Sequence, residues 1–234
     1  MTVFLGIDGG GTGCRAMASD AAGRILGQGR AGPANVNTDP VAARANILAA
    51  AAQALGGTDP AQVIAVLGLA GANIRSAAEA LRASLPFARV QITTDAITAA
   101  RGALGSADGI VAAMGTGSVF ARQRDGQIRQ FGGRGFLLGD EGSRAVLGRS
   151  LLARALRAED GFAPMTPLLR GLLAEFDGVE GVIRFATTAS PAAFAALAPR
   201  LIDSADPAAE AILRPAVEEV RAILTTLQGD NPPL

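Results

Sequence analysis

Short apolar runs and longer helical patterns alternate along the chain as far as residue 158. Runs such as Val3–Ile7 have the length of buried strands and end at polar or glycine-rich turns. The longer segments are rich in alanine, and capping residues such as Asp39 before Pro40 mark their starts. The predicted strands are 3–7, 14–19, 24–30, 63–69, 90–93, 109–114, 118–124 and 127–131, and the predicted helices are 40–55, 76–84, 96–104 and 143–158. This order indicates an α/β fold.

The rest of the chain has a helical pattern almost throughout. Asp206 and Pro207 form a typical helix start, with a capping carboxylate and a proline at the first helical position. The predicted helices here are 166–176, 179–187, 191–204 and 207–227. The last residues, 229–234, are predicted to form a loop.

One strand–turn–strand–turn–strand module occurs twice. The first copy is predicted to be an antiparallel meander at the start of the chain, and the second begins at Gly109. The first turns contain Gly11-Thr12-Gly13 and Gly115-Thr116-Gly117 at equivalent places. We interpret this as an internal duplication rather than two unrelated hairpins. It predicts two domains, 1–106 and 107–234.

The composition excludes several kinds of site. The chain of 234 residues has no His, Lys, Trp or Tyr, so its 21 basic side chains are all Arg. A Ser-His-Asp triad, a His-ligated zinc site and the lysine of a Walker A loop are therefore excluded, and acid–base chemistry must depend on Asp and Glu.

Charge, hydropathy and cysteine content indicate the surroundings. The net charge is zero, so no nucleic acid partner is expected. No continuous apolar stretch reaches 18 residues and no signal sequence is recognisable, so no membrane association is expected. The single cysteine, Cys14, fits a reducing compartment, and we expect a cytoplasmic protein.

The first glycine-rich turn carries the first candidate chemistry. Asp8 ends a strand, and Gly9, Gly10, Gly11 and Thr12 follow it. Glycines permit φ > 0 and allow a ligand to approach the backbone, whose N–H groups attract an anion. Asp8 could hold a metal ion through water, which predicts a phosphate–Mg²⁺ site. A tight hairpin with an incidental Asp is the alternative.

Further candidate residues lie near other strand ends and glycine-rich loops. Asp95 follows a short strand, and Arg134 and Asp140 lie within the glycine-rich stretch 132–143. A carboxylate beside a sugar hydroxyl can accept its proton during attack on a γ-phosphate, which favours phosphoryl transfer from ATP–Mg²⁺ to a small polyol. As alternatives, Asp95 or Asp140 could cap the following helix, and Arg134 could be a solvated surface charge.

Four motifs together resemble the BadF/BadG/BcrA/BcrD ATPase family, and within it the bacterial glucosamine and N-acetylglucosamine kinases. They are Ile7-Asp8-Gly9-Gly10-Gly11-Thr12, Thr94-Asp95-Ala96, Gly115-Thr116-Gly117-Ser118, and Gly132-Gly133-Arg134-Gly135-Phe136 with Leu138-Gly139-Asp140-Glu141-Gly142-Ser143. The resemblance implies an α/β fold of two actin-like, ribonuclease H-like domains with a duplicated β-β-β-α-β-α core and an interdomain cleft.

The resemblance also implies roles for individual residues. Asp8 would assist Mg²⁺, and Asp95 would be the catalytic base for the hydroxyl at carbon 6 of the sugar. The ATP phosphates would be bound by Gly9, Gly10, Gly11, Thr12, Gly115, Thr116, Gly117 and Ser118. The sugar would be bound by Asn35, Asp95, Gly133, Arg134 and Asp140. As an alternative, Asn35 could be a plain turn residue.

The expected reaction is conversion of glucosamine to glucosamine 6-phosphate by ATP, with N-acetylglucosamine as the alternative substrate. Gly13 departs from the family, which often has a basic residue there. Family members continue with an adenosine-binding strand and Gly-Gly turn, so we expect an incomplete second domain. A reductase-activating ATPase, against which the single Cys14 argues, and a non-catalytic sugar-binding protein remain further alternatives. The sequence leaves a homodimer open.

Overall fold

The computed structural model describes residues 2–229, and the chain divides into two compact units. The first unit contains the residues up to Asp108 together with Gln123–Arg129, and the second contains Gly109–Arg122 and the residues from Gln130 onward. Because Gln123–Arg129 groups with the first unit, the chain crosses between units more than once. The domain limits 1–106 and 107–234 stay a prediction.

The first unit is built on a five-stranded mixed sheet of order β3-β2-β1-β4-β5. Its strands are β1 Val3–Gly9, β2 Cys14–Ser19, β3 Ile25–Ala31, β4 Val63–Leu69 and β5 Arg89–Thr93. The first three form the predicted antiparallel meander, and β1, β4 and β5 run parallel. Val3, Leu5 and Ile7 alternate with more exposed residues and point into the core.

Three helices complete this unit: α1 Pro40–Leu55, α2 Arg75–Ser84 and α3 Asp95–Leu104. Asp39 caps α1, since its carboxylate accepts a hydrogen bond from the N–H of Ala42. Gly29 on β3 lies against α1 so closely that a Cβ there would be 2.0 Å from the carbonyl oxygen of Ala50. The alanine-rich helix therefore packs backbone to backbone on the sheet.

The second sheet has three strands in the order β6-β7-β8, with β6 Gly109–Met114, β7 Ser118–Arg124 and β8 Gln127–Gly132. The helices that follow are α4 Arg144–Glu159, α5 Pro167–Glu175, α6 Gly178–Thr188, α7 Pro191–Ala195, α8 Pro199–Ile202 and α9 Pro207–Gln228. Leu151, Leu169 and Leu201 are completely buried in their core. From Gly132 to Gly229 the structure contains helices and loops. Within the described part of the chain, the second unit therefore shows only the β-β-β-α part of the expected β-β-β-α-β-α core.

The single helix predicted over 191–204 is wrong. The segment forms two short helices, α7 and α8, because Pro199 has no N–H to continue the hydrogen-bond ladder. The loop predicted at 229–234 lies, apart from Gly229, outside the described residues. Within residues 2–229, no helix combines the length and hydrophobicity needed to span a bilayer.

Candidate functional site

The first glycine-rich turn joins β1 to β2 and is held by its own backbone. The N–H of Gly10 donates to the carbonyl of Gly13 at 2.8 Å. The carbonyls of Gly9 and Gly10 accept hydrogen bonds from the N–H groups of Ala70, at 2.8 Å, and Ala34, at 2.9 Å. Because a peptide unit is planar and trans, the N–H of the next residue points opposite to each carbonyl. The N–H of Gly11 therefore points away from Ala34 and out of the turn.

The glycines of this turn do not use the positive φ that glycine permits. Backbones with φ > 0 occur at many glycines of the chain, but Gly9, Gly10, Gly11 and Gly13 are not among them, so that expectation is wrong. A Cβ on Gly9 would lie 2.6 Å from Cδ2 of Leu69, whereas a Cβ on Gly11 would meet nothing within 4 Å. Gly9 is therefore required by packing, and Gly11 leaves the turn open to a ligand.

Asp8 lies at the end of β1 and forms an ion pair with Arg15, its neighbour on β2, at 2.5 Å. Their side chains are 49% and 71% exposed, so the pair contributes only about 0.2–1 kcal/mol and is easily broken. A cleft of about 460 Å³ adjoins the pair. It is lined by Asp8, Gly10, Thr12, Gly13, Cys14, Arg15, Arg30 and Ala31.

Asp95 is the first residue of α3, directly after β5. The N-cap of this helix is Thr94, and the Asp95 carboxylate accepts a hydrogen bond from the N–H of Ala96 at 2.9 Å. Burial raises the pKa of Asp95 above its ordinary value of 3.8, and the negative charge of Asp8 raises it further. Both carboxylates lie at the carboxyl edge of the parallel strands, where α/β folds bind ligands.

Asn35 belongs to the loop between β3 and α1. Its Oδ1 accepts hydrogen bonds from the N–H groups of Asn37, at 3.0 Å, and Thr38, at 3.1 Å. The N–H of the next residue, Val36, donates to the carbonyl of Ala70. Asn35 thus shapes the loop as an Asx turn, and its contact with sugar stays a prediction.

The second glycine-rich turn joins β6 to β7 and, like the first, is held by backbone hydrogen bonds. The N–H of Gly115 donates to the carbonyl of Gly117 at 2.8 Å. The carbonyls of Gly115 and Thr116 accept hydrogen bonds from Arg144, at 3.0 Å, and Ala145, at 3.1 Å, in the first turn of α4. The N–H groups of Thr116 and Gly117 therefore point away from this helix.

Asp140 ties this turn to the glycine-rich loop before α4. Its side chain is buried, and its carboxylate accepts hydrogen bonds from the backbone N–H groups of Ser118 and Gly135. Burial raises the pKa of Asp140, although these two hydrogen bonds oppose the shift. The hydroxyl of Ser118 donates to the carbonyl of Glu141 at 2.8 Å, which adds a second link.

The other residues of the glycine-rich loop differ in exposure. The N-cap of α4 is Ser143 rather than Asp140. Gly133 has φ 63°, and a Cβ there would lie 3.0 Å from Cγ2 of Val119, so only glycine fits. Arg134 is exposed. The sugar contacts predicted for Gly133, Arg134 and Asp140 stay predictions.

The sequence profile of the BadF/BadG/BcrA/BcrD ATPase family matches residues 5–230. The chain belongs to this family. It is 32% identical to the glucosamine kinase GspK of Vibrio cholerae, over 97% of this chain and 81% of that protein. It is 29% identical to an N-acetylmuramic acid/N-acetylglucosamine kinase of Clostridium acetobutylicum, over 75% of this chain and 60% of that protein.

A solved structure from Chromobacterium violaceum, named for a candidate N-acetylglucosamine kinase, superimposes with a TM-score of 0.88 and 32% identity. The match covers 97% of this chain and 83% of that one. MreB5 of Spiroplasma citri matches at 13% identity with a TM-score of 0.52, a likeness of fold alone. The fold is thus the two-domain actin-like fold that the sequence predicted.

The use of ATP by this ATPase family raises the question of which residues could hold a metal ion. Among residues 2–229, no group of three or more Asp, Glu, Cys or His side chains is placed to do so. Mg²⁺ in nucleotide sites takes one or two carboxylates and completes its shell with phosphate oxygens and water. Asp8, exposed beside the open turn, fits that modest requirement.

Sequence reasoning did not single out two residues that line the cleft. Arg15 and Arg30 line the cleft of the first turn, but neither belongs to a recognised motif. The predicted meander could have indicated them, since the register of its strands places Arg15 opposite Arg30 near the turn.

The links of the second turn predict different outcomes for two similar substitutions. A Cβ on Gly117 would lie 2.8 Å from Oδ2 of Asp140, whereas one on Gly115 would meet nothing within 4 Å. Gly117→Ala should therefore displace a buried carboxylate and destabilise the fold by about 1–3 kcal/mol. Thermal unfolding of both variants tests this, with Gly115→Ala as the matched control. Equal melting temperatures for the two would contradict the described packing.

Proposed function

We propose that this chain transfers the γ-phosphate of ATP to the hydroxyl at carbon 6 of an amino sugar, with glucosamine as the first candidate. One observation carries the proposal. A partly buried carboxylate of raised pKa, Asp95, lies at the same sheet edge as Asp8 and an open glycine-rich turn, in a chain 32% identical to a glucosamine kinase. N-acetylglucosamine is the second candidate, favoured by the name of the C. violaceum structure.

In this proposal Asp95 accepts the proton of the attacking sugar hydroxyl. Its hydrogen bonds come from the backbone N–H groups of Ala96 and of Asp95 itself, which leaves lone pairs for that proton, and its raised pKa makes it a better base than an ordinary Asp. The cost of holding the carboxylate ionised in a partly buried place is recovered when it takes up the proton. Asp95 would thereby also orient the sugar.

The two glycine-rich turns would bind phosphate through main-chain donors. The N–H of Gly11 in one turn, and those of Thr116 and Gly117 in the other, point away from the groups that hold each turn. Mg²⁺ would neutralise charge on the transferred group, with Asp8 as its protein carboxylate. Asn35, Gly133, Arg134 and Asp140 are proposed to surround the sugar, where Asn35 would offer its Nδ2 because its Oδ1 is used within the loop.

A coupled assay of ADP release should separate the candidate functions. We expect ADP formation with glucosamine to exceed the rate without sugar at least about tenfold, because the sugar hydroxyl is the nucleophile. N-acetylglucosamine is assayed in parallel to rank the two substrates. Hydrolysis that is independent of sugar would favour a reductase-activating ATPase, and sugar binding without turnover would favour a non-catalytic sugar-binding protein.

The variant Asp95→Asn tests the catalytic base. Loss of the proton acceptor should lower kcat about 100-fold or more, while the Kd for sugar changes by less than about tenfold. Asp203→Asn, which neutralises an exposed carboxylate elsewhere, is the matched control and should retain full activity. Turnover at the wild-type rate in Asp95→Asn would sink the assignment.

The raised pKa of Asp95 predicts a pH dependence. The base must be ionised, so kcat/KM for sugar should fall as pH decreases through the pKa of Asp95, and this acid limb should lie above 3.8. The profile is measured at saturating ATP and Mg²⁺, with preincubation at each pH to exclude unfolding. A profile that stays flat down to pH 3.8 contradicts the prediction.

A further inference from the structure

Three charged residues form a row across the first sheet beside its glycine-rich turn. Asp8 on β1 lies opposite Arg15 on β2, and Arg15 lies opposite Arg30 on β3. Directly opposed residues of antiparallel strands place their side chains on the same face. All three residues line the 460 Å³ cleft that also contains Gly10 and Thr12.

The charges of this row do not balance. Asp8 pairs with Arg15, whereas Arg30, which is exposed, has no carboxylate partner among the described residues. Cys14, beside Asp8, adds no negative charge, because burial and the charge of Asp8 raise the pKa of its thiol to about 11. Two like charges directly opposite each other oppose strand pairing unless an anion lies between them. The row thus has a net charge of one positive unit.

The surroundings of the row indicate which anion fits. A guanidinium group presents a planar fork of donors that matches phosphate oxygens. The N–H of Gly11 points out of the turn, and Thr12 supplies a hydroxyl at the cleft. A hydroxyl and two arginines in one open cleft, beside a turn with an outward main-chain N–H, are a donor set for a polyphosphate.

We propose that Arg15 and Arg30 bind the phosphate chain of the nucleotide at the first turn. Arg30 offers its guanidinium from the start, and Arg15 exchanges its weak, exposed ion pair with Asp8 for the phosphate. That exchange frees the Asp8 carboxylate to bind a cation. Arg15 pairs with Asp8 when no ligand is bound and releases it when the polyphosphate binds. The inference rests on the proposed function only in naming the nucleotide as the ligand.

The test uses inorganic tripolyphosphate, which has the phosphates but neither the base nor the sugar of ATP. Titration calorimetry at low ionic strength compares the wild-type chain with Arg30→Gln, Arg30→Lys and Arg75→Gln. Arg75 is the control, since it is exposed on α2 and pairs with Glu79 outside the cleft. Melting temperatures verify that each variant is folded.

We expect Arg30→Gln to weaken tripolyphosphate about tenfold, Arg30→Lys to weaken it less, and Arg75→Gln to stay within about twofold of wild type. Arg15→Gln should also weaken binding. In enzyme assays, Arg30→Gln should raise KM for ATP by a similar factor without changing the affinity for glucosamine. The readout of binding does not require turnover.

Each result decides one of the two proposals. The inference is overturned if wild-type protein does not bind tripolyphosphate, or if Arg30→Gln binds it as tightly as wild type does. If the arginine variants lose tripolyphosphate but wild-type protein phosphorylates no sugar, the phosphate site stands and the proposed kinase function fails. If sugar is phosphorylated and Arg30→Gln has an unchanged KM for ATP, the kinase function stands and this inference fails.

Discussion

Four backbone hydrogen bonds determine what the two glycine-rich turns can do. In each turn two consecutive carbonyls are held inward, by Ala70 and Ala34 in the first unit and by the first turn of α4 in the second. Because peptides are planar, the N–H groups of Gly11, Thr116 and Gly117 then point away from these contacts, whereas the N–H of Gly10 is held by the carbonyl of Gly13. Outward main-chain N–H groups can attract an anion without any side chain, in a chain that has neither lysine nor histidine.

Because the chain has no His or Lys, acid–base chemistry must depend on its carboxylates, and the surroundings of each carboxylate determine what it can do. Asp95 and Asp140 both have a raised pKa, and burial is the main cause for each. Asp140 accepts hydrogen bonds from Ser118 and Gly135, which lie in different segments, and so links them, whereas the backbone donors of Asp95 are local, Ala96 and its own N–H, and Asp95 lies near a second carboxylate at the sheet edge. The pKa shift alone would not separate them, but the partners do.

Much of this organisation could be predicted from the sequence because it is local. Apolar periodicity predicted the strands and α1 to α4. The Gly-Thr-Gly sequences at equivalent places between strands predicted the two turns. The features that the sequence did not predict depend on residues far away in sequence. Gly9 must be small because Leu69 and Ala34 pack against it, and the Asp140 carboxylate contacts Ser118 instead of capping the following helix. Arg30 has no motif around it, and only strand register places it opposite Arg15.

Asp140 also makes the two glycine-rich segments of the second unit interdependent. One carboxylate holds Ser118, at the end of the turn, and Gly135, within the loop that precedes α4. A Cβ on Gly117 would lie 2.8 Å from Oδ2 of that carboxylate, and Asp140 has a left-handed φ of 61°, so the turn and the loop are closely packed at this point. A rearrangement of the loop must therefore move the turn or break buried hydrogen bonds.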